Sequence, residues 1–129
     1  MYVFKKYALF FSIGGIGYAV LELLWRGRTH WSMVIAGGLC FSMFSVVSER
    51  LKSRPLFVKA LICAFGITVI ELLFGLFFNM LLDMNVWDYS DMPLNFMGQI
   101  CPYFSFLWCI LALLFIPLAE LINNKLETT

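Results

Sequence analysis

Hydrophobic residues occur in four long runs along the chain, and short polar stretches separate them. The runs extend from Tyr7 to Trp25, from Trp31 to Val47, from Leu56 to Leu82 and from Ile100 to Leu118. A helix needs about 20 residues to cross a bilayer core of about 30 Å, so three runs are long enough and the second is marginal. We therefore predict an all-α membrane protein with four transmembrane helices, the second of which depends on its neighbours.

The composition favours the membrane over a soluble core. Hydrophobic residues make up 62% of the chain and the mean hydropathy is +0.89. Four such helices in a soluble protein would leave almost no amphipathic surface for water, which argues against that alternative. The first run follows Lys5 and Lys6, as in a signal peptide. However, it contains Glu22 and ends at Trp25-Arg26 without a small-residue cleavage site, so we interpret it as a retained helix.

Two short elements of the chain occur twice. The stretch from Gly17 to Leu24 returns as Gly66 to Leu73 with a glutamate at the same place, and Gly37 to Cys40 returns as Gly98 to Cys101. A duplicated and diverged helix pair explains both repetitions. We predict a single four-helix domain, residues 1–129, built from two parallel helix-pair repeats at about 7–47 and about 56–118.

Positive charge is distributed unevenly between the two sides of the predicted bundle. Of the nine Lys and Arg residues, only Arg26 and Arg28 fall on the side away from the chain termini. Because cytoplasmic loops are enriched in Lys and Arg, we predict that both termini are cytoplasmic. The formal net charge of +1 gives no indication of a nucleic-acid partner.

The repeated acids, Glu22 and Glu71, lie inside apolar runs. Small residues lie three and seven positions before each acid, on the same helical face: Ala19 and Gly15, then Thr68 and Ala64. Since small residues at this spacing mark close helix contacts in membranes, both carboxylates should face the bundle interior. An ionisable group there is a functional-site hypothesis by default.

The two acids have different surroundings in the sequence. Arg26 follows Glu22 by one helical turn, so an ion pair is an adequate structural explanation for Glu22. Glu71 has no basic residue within a turn, so it needs a partner from another helix or must be neutral. Glu71 is therefore the stronger candidate for a working residue, and Glu22 is the second.

The longest connection, from Asp83 to Gly98, is predicted on the non-cytoplasmic face. Trp87 and Tyr89 suit the headgroup interface. Asp88, Ser90 and Asn95 form turns and helix caps, so we expect a compact re-entering loop.

Arg26 and Arg28 emerge on the same face as this loop. A guanidinium fork can engage a carboxylate through two hydrogen bonds, so pairing with Asp88 and Asp91 would hold the loop as a lid. The alternative is that both arginines are solvated residues of a short turn.

Conventional catalytic and cofactor motifs are missing. His30 is the only histidine, and the chain has no nucleotide-binding glycine loop, metal-ligand cluster or nucleophilic triad. The four cysteines lie in apolar runs without zinc spacing and are expected to pack as small hydrophobes. The matching positions of Cys40 and Cys101 leave open an approach across a pseudo-two-fold axis. We predict no catalytic residue, no metal and no cofactor.

A block of motifs in the second half of the chain resembles a known family. Trp87-Asp88-Tyr89-Ser90, then Asn95, then Gly98-Gln99-Ile100-Cys101, is similar to the hallmark of the bacterial CmpB-like family, described as Putative ABC-transporter type IV. The family also resembles this chain in an acid in the first helix, another in the third, and a Gly-x-Leu-Cys element between them. The chain departs from the family at Gln99, where a basic residue is usual. The resemblance implies a multi-pass protein of the bacterial inner membrane.

Three functions fit this sequence. The first is a transport or channel-like component that uses buried carboxylates, with an unknown substrate. The second is a structural or assembly protein without transport activity, and the third is a lipid-headgroup-binding protein that uses Glu71, Asp88 and Tyr89. Four helices are few for a transporter, so we expect a homo-oligomer or a larger membrane partner. The other expected partners are the lipid bilayer and a small ion or lipid ligand.

Overall fold

The computed structural model describes residues 2–127, which form four long helices and one long loop. The helices are α1 (Tyr2–Arg26), α2 (Trp31–Arg50), α3 (Leu56–Phe74) and α4 (Pro102–Glu127), and α3 continues as a π-helix over Gly75–Leu81. All four are long and apolar enough to cross a membrane when α3 is taken through its π-helical segment. The predicted all-helical architecture with four helices able to span a membrane is confirmed.

Helix α2 is the centre of the bundle. It packs against all three other helices, and 56% of its most apolar window is buried, compared with 17% for α1 and for α4. Helix α1 packs mainly against α2, whereas α4 packs against α3 and α2. The marginal second run is therefore the most buried of the four helices. A cleft remains between α1 and α4.

Glycines bring α1 and α2 into close contact. A Cβ atom on Gly37 would lie 2.6 Å from the Cβ of Tyr18 and 2.8 Å from the carbonyl oxygen of Gly14. A Cβ on Gly15 would lie 2.8 Å from the carbonyl oxygen of Val34. Close backbone approach of this kind compensates for the lack of a hydrophobic driving force between helices in lipid.

Polar side chains pair across the end of the bundle that holds both termini, here called the termini end. Lys6 pairs with Glu49, and the Nζ of Lys59 lies 2.7 Å from the Oε1 of Glu120. Between these pairs, the buried Ser45 hydroxyl donates to the Oδ1 of Asn123 at 3.1 Å. These contacts satisfy polar groups that would be costly to leave unpaired in an apolar bundle.

The opposite end, here called the loop end, is filled by residues 82–101. Val86, Trp87, Gln99 and Cys101 of this loop are buried. Ser105, in the first turn of α4, hydrogen-bonds Thr68 at 2.8 Å, so α4 begins near the depth of Glu71 rather than at the end of α3. The loop folds back into the space above α4, as the turn residues predicted.

Candidate functional site

The carboxylate of Glu71 lies beneath the folded loop and has two hydrogen-bond donors. The hydroxyl of Tyr89 donates to Oε2 at 2.9 Å, and the indole Nε1 of Trp108 donates to Oε1 at 2.8 Å. Glu71 is only 7% exposed, and no Lys, Arg or His of residues 2–127 forms an ion pair with it. Glu71 faces the interior of the bundle, as predicted. Its hydrogen-bond partners are neutral groups from the loop and α4.

Aromatic stacking positions both donors. The ring of Tyr89 stacks on Phe104 with centroids 4.5 Å apart and an angle of 8° between the planes. Phe104 lies one helical turn before Trp108 on α4, so one stretch of helix fixes both contacts to the carboxylate. Burial, and then the nearby charge of Glu71, raise the pKa of Tyr89 above its usual range. Its phenol therefore remains a protonated donor.

Residues of the loop motif hold the loop together. The indole Nε1 of Trp87 donates to the carbonyl of Gln99 at 3.0 Å, and the amide of Tyr89 donates to the carbonyl of Gly98 at 2.7 Å. Asn95 bridges the turn, because its Nδ2 donates to the carbonyl of Ser90 and its Oδ1 accepts from the amide of Gly98. The motif thus encodes the shape that carries Tyr89 to Glu71.

Asp88 has a local structural role in this loop. Its Oδ1 accepts from the backbone amide of Ser90 at 2.9 Å, and this hydrogen bond holds the pKa of the exposed carboxyl below its usual range. Gly98 has a φ of +74°, and a Cβ there would lie 3.2 Å from the same Oδ1. A glycine suits this position because its backbone is left-handed and the space beside it is occupied.

Asn79 makes polar contacts that the sequence analysis did not predict. Its Oδ1 accepts from the amide of Val86 at 2.6 Å, and its Nδ2 donates to the Oε1 of Gln99 at 2.8 Å. Gly75, one turn earlier, lets the side chain of Gln99 approach the helix backbone. The sequence did contain a signal for these contacts, since Asn79 is the one side-chain amide within the third apolar run.

The second repeated acid, Glu22, is neutralised within its own helix. Its Oε2 lies 2.7 Å from Nη2 of Arg26, and the hydroxyl of Thr29 donates to its Oε1 at 2.9 Å. The ion pair one turn apart, expected as the structural explanation for this residue, is present. Thr29 lies in the short turn between α1 and α2 and is the second partner of the Glu22 carboxylate.

The predicted pairing of Arg26 and Arg28 with Asp88 and Asp91 is wrong as to its partners. Arg26 does contact the loop, but its Nη1 donates to the carbonyl of Val86 at 3.2 Å. The carboxylate of Asp88 instead accepts a hydrogen bond from the amide of Ser90. Arg28 and Asp91 are exposed and form no ion pair in the part of the chain that the structure describes. The reason is that Glu22 already lies one turn from Arg26 on the same helix.

Two cavities inside the bundle share part of their lining. The larger, of about 460 Å³, extends along the cleft between α1 and α4 and reaches Glu71. The smaller, of about 330 Å³, includes Glu22 and Arg26. Tyr18 and Trp108 are among the residues that line both. Sequence reasoning missed these two aromatics, although each is a ring with a polar group in the interior of an apolar run.

The cysteines do not form a site. All four are free thiols; Cys40 lines the larger cavity, and Cys101 is buried in the loop. Residues 2–127 contain no group of three His, Cys, Asp or Glu side chains able to hold a metal ion.

The family described as Putative ABC-transporter type IV matches residues 8–128 of the chain. This match covers nearly the whole sequence. The protein belongs to that family. No curated protein and no solved structure matches the chain. With its four apolar helices, this type IV family member is a multi-pass integral membrane protein.

Proposed function

We propose that this protein is a component of a membrane transport system in which Glu71 is the working carboxylate. The single observation that carries the proposal is that the buried carboxylate of Glu71 faces a cavity and, within residues 2–127, has two neutral hydrogen-bond donors and no ion-pair partner. An ionised carboxylate away from water is stabilised by binding a cation or a proton. A proton or a small cation that enters the cavity would thus find its binding site at Glu71.

Tyr89 links this site to the loop end. Because the phenol donates directly to Glu71, occupation of the carboxylate by a proton or a cation would weaken this hydrogen bond. The loop, which includes Trp87, Asp88, Ser90, Asn95, Gly98 and Cys101, would then respond to the state of Glu71. A local charge change that biases a mobile element is a common basis for switching.

The proposal also includes the setting of the protein. We place it in the bacterial inner membrane with both termini cytoplasmic and with two helix-pair repeats derived from duplication. Four helices enclose the cavity incompletely, which supports assembly as a homo-oligomer or with a larger membrane partner. Glu22, paired with Arg26, holds the loop end and has no direct part in transport.

A structural role is the second candidate function. The bonds of Glu71 join α3 to both the loop and α4, and those contacts by themselves would stabilise the bundle. In that case Glu71 would matter for folding and nothing would cross the membrane.

Flux of protons and of small cations into proteoliposomes tests the proposal. We expect flux with the native chain, loss of flux with Glu71→Gln, and retention of flux with Asp91→Asn, which removes an exposed loop carboxylate that has no ion pair in the described part of the chain. Thermal stability in detergent is measured alongside, so that unfolding is not mistaken for loss of transport. Absence of flux with the native chain, together with a large loss of stability in Glu71→Gln, would establish the structural role instead.

A further inference from the structure

The larger cavity opens on the side of the bundle, within the membrane-spanning part of the helices. Its lining includes exposed residues of α1, such as Ile13 and Val20, and exposed Leu118 of α4. Gly17 lies at this opening, and a Cβ built there meets nothing within 4 Å. A molecule dissolved in the lipid can therefore reach the cavity between α1 and α4 without passing through the loop end.

The lining of this cavity combines a carboxylate with apolar walls. Among the described residues that line it, Glu71 is the only charged one, and the other lining residues are mostly aliphatic and aromatic. The rings of Tyr18, Trp108 and Phe74 lie around the carboxylate end of the space. The faces of aromatic rings attract cations, most strongly where water is excluded.

We propose that the cavity binds a lipophilic monocation, an onium compound with aromatic or alkyl substituents, which enters from the lipid between α1 and α4 and places its charge at Glu71. The inference rests on the proposed function, since it names the class of substrate for the same carboxylate. A volume of about 460 Å³ lies within the range of about 300–1,000 Å³ that is usual for small-molecule sites. The apolar walls match the substituents, and the carboxylate matches the charge.

Other occupants fit the cavity less well. A lipid acyl chain would fill the apolar space but leave the carboxylate unused. An anion of the same size would be repelled by Glu71, because the cavity offers it no positive group in the described part of the chain. A hydrated inorganic cation would gain little from the apolar walls.

Equilibrium dialysis of protein in phosphatidylcholine nanodiscs tests this inference, with empty nanodiscs as the blank. The probes are tetraphenylphosphonium and tetraphenylborate, which have nearly the same size and shape but opposite charge. We expect saturable binding of the phosphonium and none of the borate above the blank. Equal binding of the two probes, or no saturable binding of the phosphonium, would overturn the inference.

Two variants locate the binding site. Glu71→Gln should weaken phosphonium binding by about tenfold or more, because it removes the buried counter-charge, whereas Asp91→Asn, which removes an exposed loop carboxylate, should not change it. Gly17→Leu, which fills open space and removes a helix-weakening glycine, should abolish binding while the fold is kept; Gly17→Ala is its small control. Unchanged binding in both Glu71→Gln and Gly17→Leu would place the phosphonium elsewhere and contradict the inference.

Binding and flux are separate measurements, so the two proposals can fail independently. Charge-selective binding without any flux in proteoliposomes would support the cation site and refute transport. Proton flux that depends on Glu71 without phosphonium binding would support transport and refute the lipophilic cation as its substrate.

Discussion

The hydroxyl of Tyr89 donates a hydrogen bond to the carboxylate of Glu71 at 2.9 Å. One residue belongs to the loop and the other to the interior of α3. The position of the loop and the state of the buried carboxylate are therefore physically linked.

Tyr89→Phe should lower the thermal stability of the protein. The substitution keeps the stacked ring against Phe104 but leaves Glu71 with Trp108 as its remaining donor, at an expected cost of about 1–3 kcal/mol. Thermal unfolding in detergent measures the effect. Tyr103→Phe is the matched control, because Tyr103 is exposed on the first turn of α4. Equal melting temperatures for the two variants would show that the Tyr89 hydroxyl does not stabilise the fold.

The Glu22–Arg26 ion pair should show a measurable coupling energy. Glu22 is 8% exposed and Arg26 is 26% exposed, so each single substitution to glutamine leaves a partly buried charge without its partner. We expect the single variants Glu22→Gln and Arg26→Gln to lose about 1–3 kcal/mol each, and the double variant to lose less than their sum. Unfolding measurements on all four proteins give the coupling. Strict additivity would contradict a direct pair.

Gly37→Ala should destabilise the contact between α1 and α2. The added Cβ would meet Tyr18 and the backbone of Gly14 at less than 3 Å, and forcing the helices apart should cost about 1–3 kcal/mol. Gly17→Ala adds the same methyl group where nothing lies within 4 Å, and should be neutral or stabilising by up to about 1 kcal/mol. The melting temperatures of the two variants should therefore shift in different ways, and equal shifts would argue against the close seam.

Ser90→Cys should react with a membrane-impermeant thiol reagent added to intact cells, because Ser90 is exposed at the loop end. Ser53→Cys, exposed between α2 and α3 at the termini end, should react only after lysis. The native chain provides the background from its own four cysteines. The reverse pattern of labelling would place both termini outside the cytoplasm.

The hydrophobic pattern was sufficient to locate the helices, including the short second one. That run is only marginally long, and its small residues Gly37, Gly38 and Ser45 are buried in the structure. The same small residues that lower its hydrophobicity let neighbouring helices approach closely. The sequence also indicated that Glu22 and Glu71 differ, because only Glu22 has a basic residue within one turn.

The partners of Glu71 could not be predicted in this way. Tyr89 was assigned to the headgroup interface, whereas its hydroxyl reaches into the bundle because the loop folds back over the start of α4. For Arg26, the charges of Asp88 and Asp91 suggested a partner, whereas the contact it makes with the loop is a backbone carbonyl. Every residue has a backbone carbonyl, so the pattern of charged residues cannot show which carbonyl will accept a hydrogen bond.

The sequence by itself determined four apolar helices, a turn-rich loop and one carboxylate without a local counter-charge. These are local properties, since the length of an apolar run and the spacing of a salt bridge within a helix depend only on neighbouring residues. Only the tertiary structure decided that the carboxylate lies between Tyr89 and Trp108, at separations of 18 and 37 positions, beside a cavity that opens between α1 and α4. Contacts over such separations depend on how the loop folds and how the helices pack, which no local pattern specifies.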